Sequence, residues 1–144
     1  LMVANLVAYY AMKERGRSFG MSADQLAKND LVIDGGLRSL EIAKRAGVPV
    51  AYGSDLLGQL QVDQSREFLL RSEVLSPLEI IRQATLVGAD VVRQSGILGV
   101  IEPGAFADLI VVDGDPLKDL GLFQDQGAHL SAIMKGGVFH KNRL

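Results

Sequence analysis

The chain has 144 residues, 48% of them apolar and 22% charged, with a net charge of −2 at pH 7, which is the composition of a soluble globular domain with one ordinary core and excludes a disordered chain. Both signs of charge are interspersed, so there is neither a nucleic-acid footprint nor a polybasic segment for an anionic membrane; small neutral or zwitterionic partners fit better. The absence of cysteine excludes disulfides, thiolate metal sites and a cysteine nucleophile and leaves the redox compartment undetermined, with the cytoplasm as the default expectation.

The apolar opening, residues 1–12, is interrupted by Asn5 and followed by charges, well short of the ~20 residues a bilayer span needs. No basic residue precedes it as in a signal peptide. Leu rather than Met at position 1 fits a chain that begins inside a longer reading frame or has lost a tag or leader. Residues 2–15 read as a helix stopped by Gly16, although the first few fit the end of a strand equally well. Ser22 with Gln25 three residues on has capping-box spacing and starts a short helix. Leu37, Leu40, Ile42, Ala43 and Ala46, with charges largely between them, predict an amphipathic helix over 36–46, and Gly35-Gly36 argues against an earlier start.

Next comes Val48-Pro49-Val50-Ala51-Tyr52-Gly53-Ser54-Asp55, an apolar run that reads as a strand buried on both faces. Helix, glycine stop, buried strand and polar tip in that order make the αβ step of a parallel sheet or barrel. Chemistry in such folds sits at the carboxyl ends of the strands, where Asp55 falls. Residues 64–74 predict a helix with Phe68, Leu69 and Leu70 facing inward. Ser76-Pro77-Leu78-Glu79 combines an N-cap, a proline at the first helical position and a capping-box glutamate, and opens a helix over 77–93. At Gly96 the texture changes to short β segments at 98–101, 108–112, 129–135 and 138–141, separated by turn chemistry that includes a Gly136-Gly137 hairpin. The expected organisation is therefore α/β over 1–96 and a small β unit over 97–144.

Taken from the residues alone, Asp55 is either a reacting carboxylate or the cap of a following turn. Ser54 lacks a nucleophile elbow and a nearby histidine. Tyr9 and Tyr10 would reach a pocket or serve as half-buried helix aromatics, Arg66 and Glu67 would contact a substrate or form a solvated helix face, and Leu56 and Leu57 would line a pocket or cover a rim. Asp108, Asp113 and Asp115 lack the spacing of a calcium loop. His129 and His140 read as surface or strand histidines, and no glycine-rich phosphate motif is present, which argues against a nucleotide cofactor.

Gly53-Ser54-Asp55 closing an apolar strand resembles the motif that ends the eighth barrel strand in the metal-dependent amidohydrolase superfamily. The resemblance continues through Ser76-Pro77-Leu78-Glu79, Ala84-Thr85, Gly88-Ala89, Gly99-Val100-Ile101-Glu102-Pro103-Gly104, Ala107-Asp108-Leu109-Ile110-Val111-Val112, Asp115-Pro116-Leu117 and Met134-Lys135-Gly136-Gly137. Residues 37–48 are similar to the branch containing imidazolonepropionase-like proteins and Xaa-Pro dipeptidases. The resemblance covers essentially the whole chain and implies the last part of a (β/α)8 TIM-type barrel followed by strands of a small composite β domain. It implies hydrolysis of amide bonds in cyclic amides or small peptides by metal-activated water, zinc being the expected divalent metal, with Asp55 as metal ligand and general base. It also implies association into a homo-oligomer or with the missing barrel segments. The family's remaining ligands, a His-x-His pair, a lysine or glutamate and two further histidines, have no counterpart here, and His129 and His140 match none of their positions. The alternative is a catalytically inert truncated chain that persists by self-association or by binding a partner.

Overall fold

In the computed structural model, which describes residues 1–144, the chain divides into two units, Leu1–Leu75 and Ser76–Leu144. The change of texture near residue 96 thus falls inside the second unit. Residues after the helices fold back there: Gly99 lies against the Thr85 carbonyl, and a Cβ on it would meet that oxygen at 2.5 Å.

The first unit opens with strand β1 (Met2–Ala4), then helix α1 (Leu6–Arg15) and helix α2 (Ala23–Arg45), and returns through strand β2 (Val50–Tyr52). β1 and β2 pair in parallel, Met2 with Val50, Val3 with Ala51 and Ala4 with Tyr52. Their carboxyl ends, Ala4 and Tyr52, therefore lie side by side. Gly16 does not stop α1 sharply; a 3₁₀ turn over Gly16–Phe19 follows and ends at Gly20, φ 82°.

α2 is one helix where the sequence predicts two. The Ser22/Gln25 capping box is formed, and Gly35 and Gly36 lie inside the helix instead of interrupting it. Packing explains why: a Cβ on Gly36 would stand 2.7 Å from Leu6 Cδ2, so the bare backbone lets α1 and α2 approach. This contact offsets the helix propensity that a glycine loses, about 1 kcal/mol. The buried Asn29 amide adds a hydrogen bond from α2 to the Tyr9 carbonyl at 2.9 Å. The helix ends in a Schellman arrangement, with Val48 N donating to Ala43 O and Gly47 N to Lys44 O. Gly47, at φ 66°, supplies the left-handed residue.

A 3₁₀ turn over Gly58–Asp63 leads to helix α3 (Arg66–Arg71), shorter than the predicted span of 64–74. Its inward face differs from the expectation as well. Glu67 and Arg71 are fully buried while Leu69 is 41% exposed. Leu70 packs with Val7, Ala8, Ala11 and Leu56, and Phe68 meets the Tyr52 ring at 4.5 Å.

In the second unit, helix α4 (Pro77–Ala84) carries the Ser76/Glu79 capping box and proline at its start. The predicted helix over 77–93 breaks at Thr85 (φ −111°, ψ −83°), beyond which helix α5 (Leu86–Val91) begins. Thr85 Oγ1 donates to the Ile81 carbonyl at 2.7 Å, sharing it with the Thr85 amide at 3.0 Å, the back-bonding that bends helices. Residues 98–101 are no strand; only an isolated bridge joins Ser95 and Leu98. Strands β3 (Leu109–Val112), β4 (Leu130–Lys135) and β5 (Val138–Asn142) form an antiparallel sheet in that order. Gly136 and Gly137 turn the β4–β5 hairpin at φ 56° and 79°, the two positive values that a type I′ turn requires. No helix in the chain is long and apolar enough to cross a membrane.

Candidate active site

The carboxyl ends of β1 and β2 bring Asn5 and the Gly53-Ser54-Asp55 segment together. Properly oriented, the Asn5 side-chain amide donates to Gly53 O at 3.2 Å and to Ala4 O at 3.0 Å. Gly53 makes this approach possible, because a Cβ there would lie 2.3 Å from the end of that amide and 3.1 Å from Val3 Cγ1. The glycine of this tip is thus required by close contact.

Asp55 follows with its backbone at φ 51°, a left-handed conformation that aspartate tolerates better than most residues but that still costs about 1 kcal/mol. Its side chain is exposed. It does not cap the next turn, whose N-cap is Leu57 with no side-chain bond. The capping alternative therefore has no geometric support, and the carboxylate keeps its full acceptor capacity. Leu56 is buried in the apolar cluster beneath the tip, whereas Leu57 is 77% exposed.

Behind the tips lies a charged pair that sequence reasoning reads as a solvated helix face. Glu67 and Arg71 have no exposed side-chain surface. Arg71 Nε donates to Glu67 Oε1 at 2.7 Å and Arg71 Nη2 donates to Ala51 O at 3.1 Å; the same nitrogen also donates to Ala4 O. Glu67 Oε2 accepts from Val7 N at 2.7 Å, which satisfies one of the free amides at the start of α1. Asn5, the N-cap residue of α1, makes no side-chain cap, so a distant carboxylate takes that role. Burial pushes the Glu67 carboxyl above its ordinary value, opposed by the Arg71 charge and the Val7 amide. The Arg71 guanidinium lies 5.1 Å from the Tyr52 ring centroid, a cation–π distance. The Tyr52 hydroxyl donates to Gln64 O at 2.9 Å, and burial raises its pKa first, the Glu67 charge second. The one sequence signal for the pair is the i,i+4 spacing of opposite charges.

The remaining candidates lie elsewhere. Arg66 forms a two-point bond to Glu14, 2.9 and 2.8 Å. Tyr9 and Tyr10 are half-buried on α1. Asp108 accepts from Gly136 N at 2.6 Å, Asp113 from Ser131 Oγ at 2.6 Å, and Asp115 from Leu117 N at 3.0 Å, all turn or strand-end roles. His129 and His140 are exposed in the second unit. No three His, Cys, Asp or Glu side chains converge in the chain.

A parallel strand pair with an exposed carboxylate at its carboxyl end is the arrangement in which α/β folds place their chemistry. Residues 2–139 match the profile of the Amidohydrolase family, and the chain belongs to that family. It superposes on a crystal structure of an amidohydrolase with a TM-score of 0.93 at 46% identity, covering 99% of this chain and 34% of the other. It also superposes on a prolidase complexed with N-methylphosphonate-L-proline, with a TM-score of 0.91 at 46% identity, covering 97% and 34%. Ochratoxinase of Aspergillus niger is 29% identical over 123 residues, 85% of this chain and 25% of that protein. The chain thus spans about a quarter to a third of the length of these relatives.

Proposed function

We propose that this chain is the carboxyl-terminal part of a metal-dependent amidohydrolase acting on small peptides or cyclic amides, with Asp55 as the carboxylate that handles the attacking water. The observation that carries this reading is Asp55 itself: exposed, without a capping partner, and held in a left-handed conformation at the end of a buried parallel strand. Its oxygens are free to accept a proton from water during attack and to return it to the leaving amine. Likeness at 46% identity to a prolidase with a proline phosphonate supports a dipeptide with carboxyl-terminal proline as the substrate to try first.

β1 and β2 would be two strands of an eight-stranded barrel, a fold of roughly 250 residues. A divalent ion, zinc by family resemblance, would take one oxygen ligand from Asp55 and the others from outside these residues, and would supply a water of lowered pKa. Each strand of the β1–β2 pair has an unpaired edge, and open edges favour cover by other strands or by a second copy. Self-association or pairing with further barrel segments belongs to the same reading, and sedimentation as a compact monomer would remove it.

Turnover of Xaa-Pro dipeptides by the full polypeptide that carries this sequence tests the function. Asp55→Asn should lower kcat about 10²–10⁴-fold with an unchanged melting profile. Unaltered kcat removes Asp55 from the mechanism.

A further inference from the structure

The backbone atoms held by Glu67 and Arg71 all lie next to the strand tips. Ala4 immediately precedes Asn5, Ala51 lies two residues before Gly53, and Val7 is the second residue of the helix that follows Asn5. The β1–β2 ladder is only three residues long and its last pair is Ala4 with Tyr52; a two-stranded ribbon of that length is marginal by itself. Arg71 ties both strands together where the ladder runs out. A guanidinium suits this task, since its planar fork presents five donors in fixed directions, whereas a lysine ammonium is a single mobile point charge. An apolar pair of similar volume would avoid the desolvation of two ions but would leave the two carbonyls and the Val7 amide without these partners.

We propose that Glu67 and Arg71 are positioning residues for the strand tips, holding Asn5 and residues 53–55 in register so that the Asp55 carboxylate is presented from a fixed point. The inference rests on reading Asp55 as the reacting carboxylate. It goes beyond that reading by assigning the geometry of the tip to a buried pair on α3 that does not touch substrate. The left-handed backbone at Asp55 adds weight, because such a conformation persists only where its surroundings over-determine it.

The test uses the full polypeptide that carries this sequence, without metal or substrate, and follows ¹⁵N relaxation and carbonyl ¹³C shifts by NMR. The variants are Arg71→Lys, Arg71→Met, Glu67→Gln and the double variant Glu67→Gln/Arg71→Met. In Arg71→Lys and in the double variant, the Ala4 and Ala51 carbonyl signals should shift. Order parameters at Gly53, Ser54 and Asp55 should fall from about 0.85 towards 0.6, while amides of β3, β4 and β5 keep theirs. Because lysine retains the charge, loss of tip order in Arg71→Lys assigns the effect to the donor fork. Unchanged order at the three tip residues in that variant overturns the proposal. So does unfolding of the first unit in every variant, which would make the pair a determinant of folding alone. In the turnover assay Arg71→Lys should lower kcat about 10- to 100-fold with little change in KM; an effect on KM alone also overturns it. If the tips loosen while Asp55→Asn leaves turnover intact, the positioning role stands and the reading of Asp55 falls, so the two failures are distinguishable.

Discussion

The two units use their charged groups in different ways. In Leu1–Leu75 a carboxylate and a guanidinium are wholly buried and turned onto backbone beside the ends of a parallel strand pair. In Ser76–Leu144 the carboxylates stay at the surface and close turns, with Asp108 bonded to the Gly136 amide, Asp115 to Leu117 and Asp119 to Gly121. Taking an ion out of water costs several kcal/mol unless every partner is in place, whereas a turn carboxylate keeps most of its hydration. Buried charge is concentrated in the unit that carries Asp55, whereas the charged groups of the second unit stay near its surface.

The largest expected effect comes from breaking the buried pair on one side. Arg71→Met leaves the Glu67 carboxylate buried without its cation and should cost the first unit about 3–5 kcal/mol. All three tyrosines, Tyr9, Tyr10 and Tyr52, lie in that unit and the chain has no tryptophan, so tyrosine fluorescence in urea reads it selectively. The double variant Glu67→Gln/Arg71→Met should cost less than the two single changes together. Equal loss of amide protection in β3, β4 and β5 would break the contrast between the units.

Gly53→Ala is expected next, at about 1–3 kcal/mol, because its Cβ would meet the Asn5 amide at 2.3 Å. Asn5→Gly in the same chain should recover most of that loss; no recovery would mean that the contact does not define the tip. Ser131→Ala in the second unit removes the bond to Asp113 at 2.6 Å and should cost about 1 kcal/mol, read as faster amide exchange in β4. A loss as large as that of Arg71→Met would erase the distinction.

The smallest effect separates an exposed pair from the buried one by its dependence on pH. Hydrogen bonding to Arg66 holds the Glu14 carboxyl below its usual value of 4.5. Its contribution is therefore present above 4.5 and is lost as pH falls through the lower folded value. Both side chains are partly exposed, so Glu14→Gln should cost only about 0.2–1 kcal/mol at pH 7 and should flatten the acid limb of the stability profile. Glu67 has the opposite sign. Burial raises its value, so its contribution is greatest below 4.5 and declines as pH rises through the raised folded value. Denaturant midpoints of Glu14→Gln and Glu67→Gln between pH 3 and 8 should therefore change slope in opposite directions.

The sequence by itself determined what neighbouring residues can decide. Both capping boxes, the glycine stop before β2, the apolar run over Val50–Tyr52, the Gly136-Gly137 hairpin and the position of Asp55 after its strand depend on hydrogen bonds and side-chain preferences within a few residues. Tertiary structure decided the rest. Gly35 and Gly36 stay helical because Leu6 packs onto the bare backbone of Gly36, and only a glycine at position 99 lets the returning chain lie against the Thr85 carbonyl. Glu67 and Arg71 look like surface charges in sequence because the groups that make their burial tolerable, Val7, Ala4 and Ala51, lie 60, 67 and 20 residues away. A charge can be buried only when its partners arrive from elsewhere in the fold, and local sequence carries no record of their arrival.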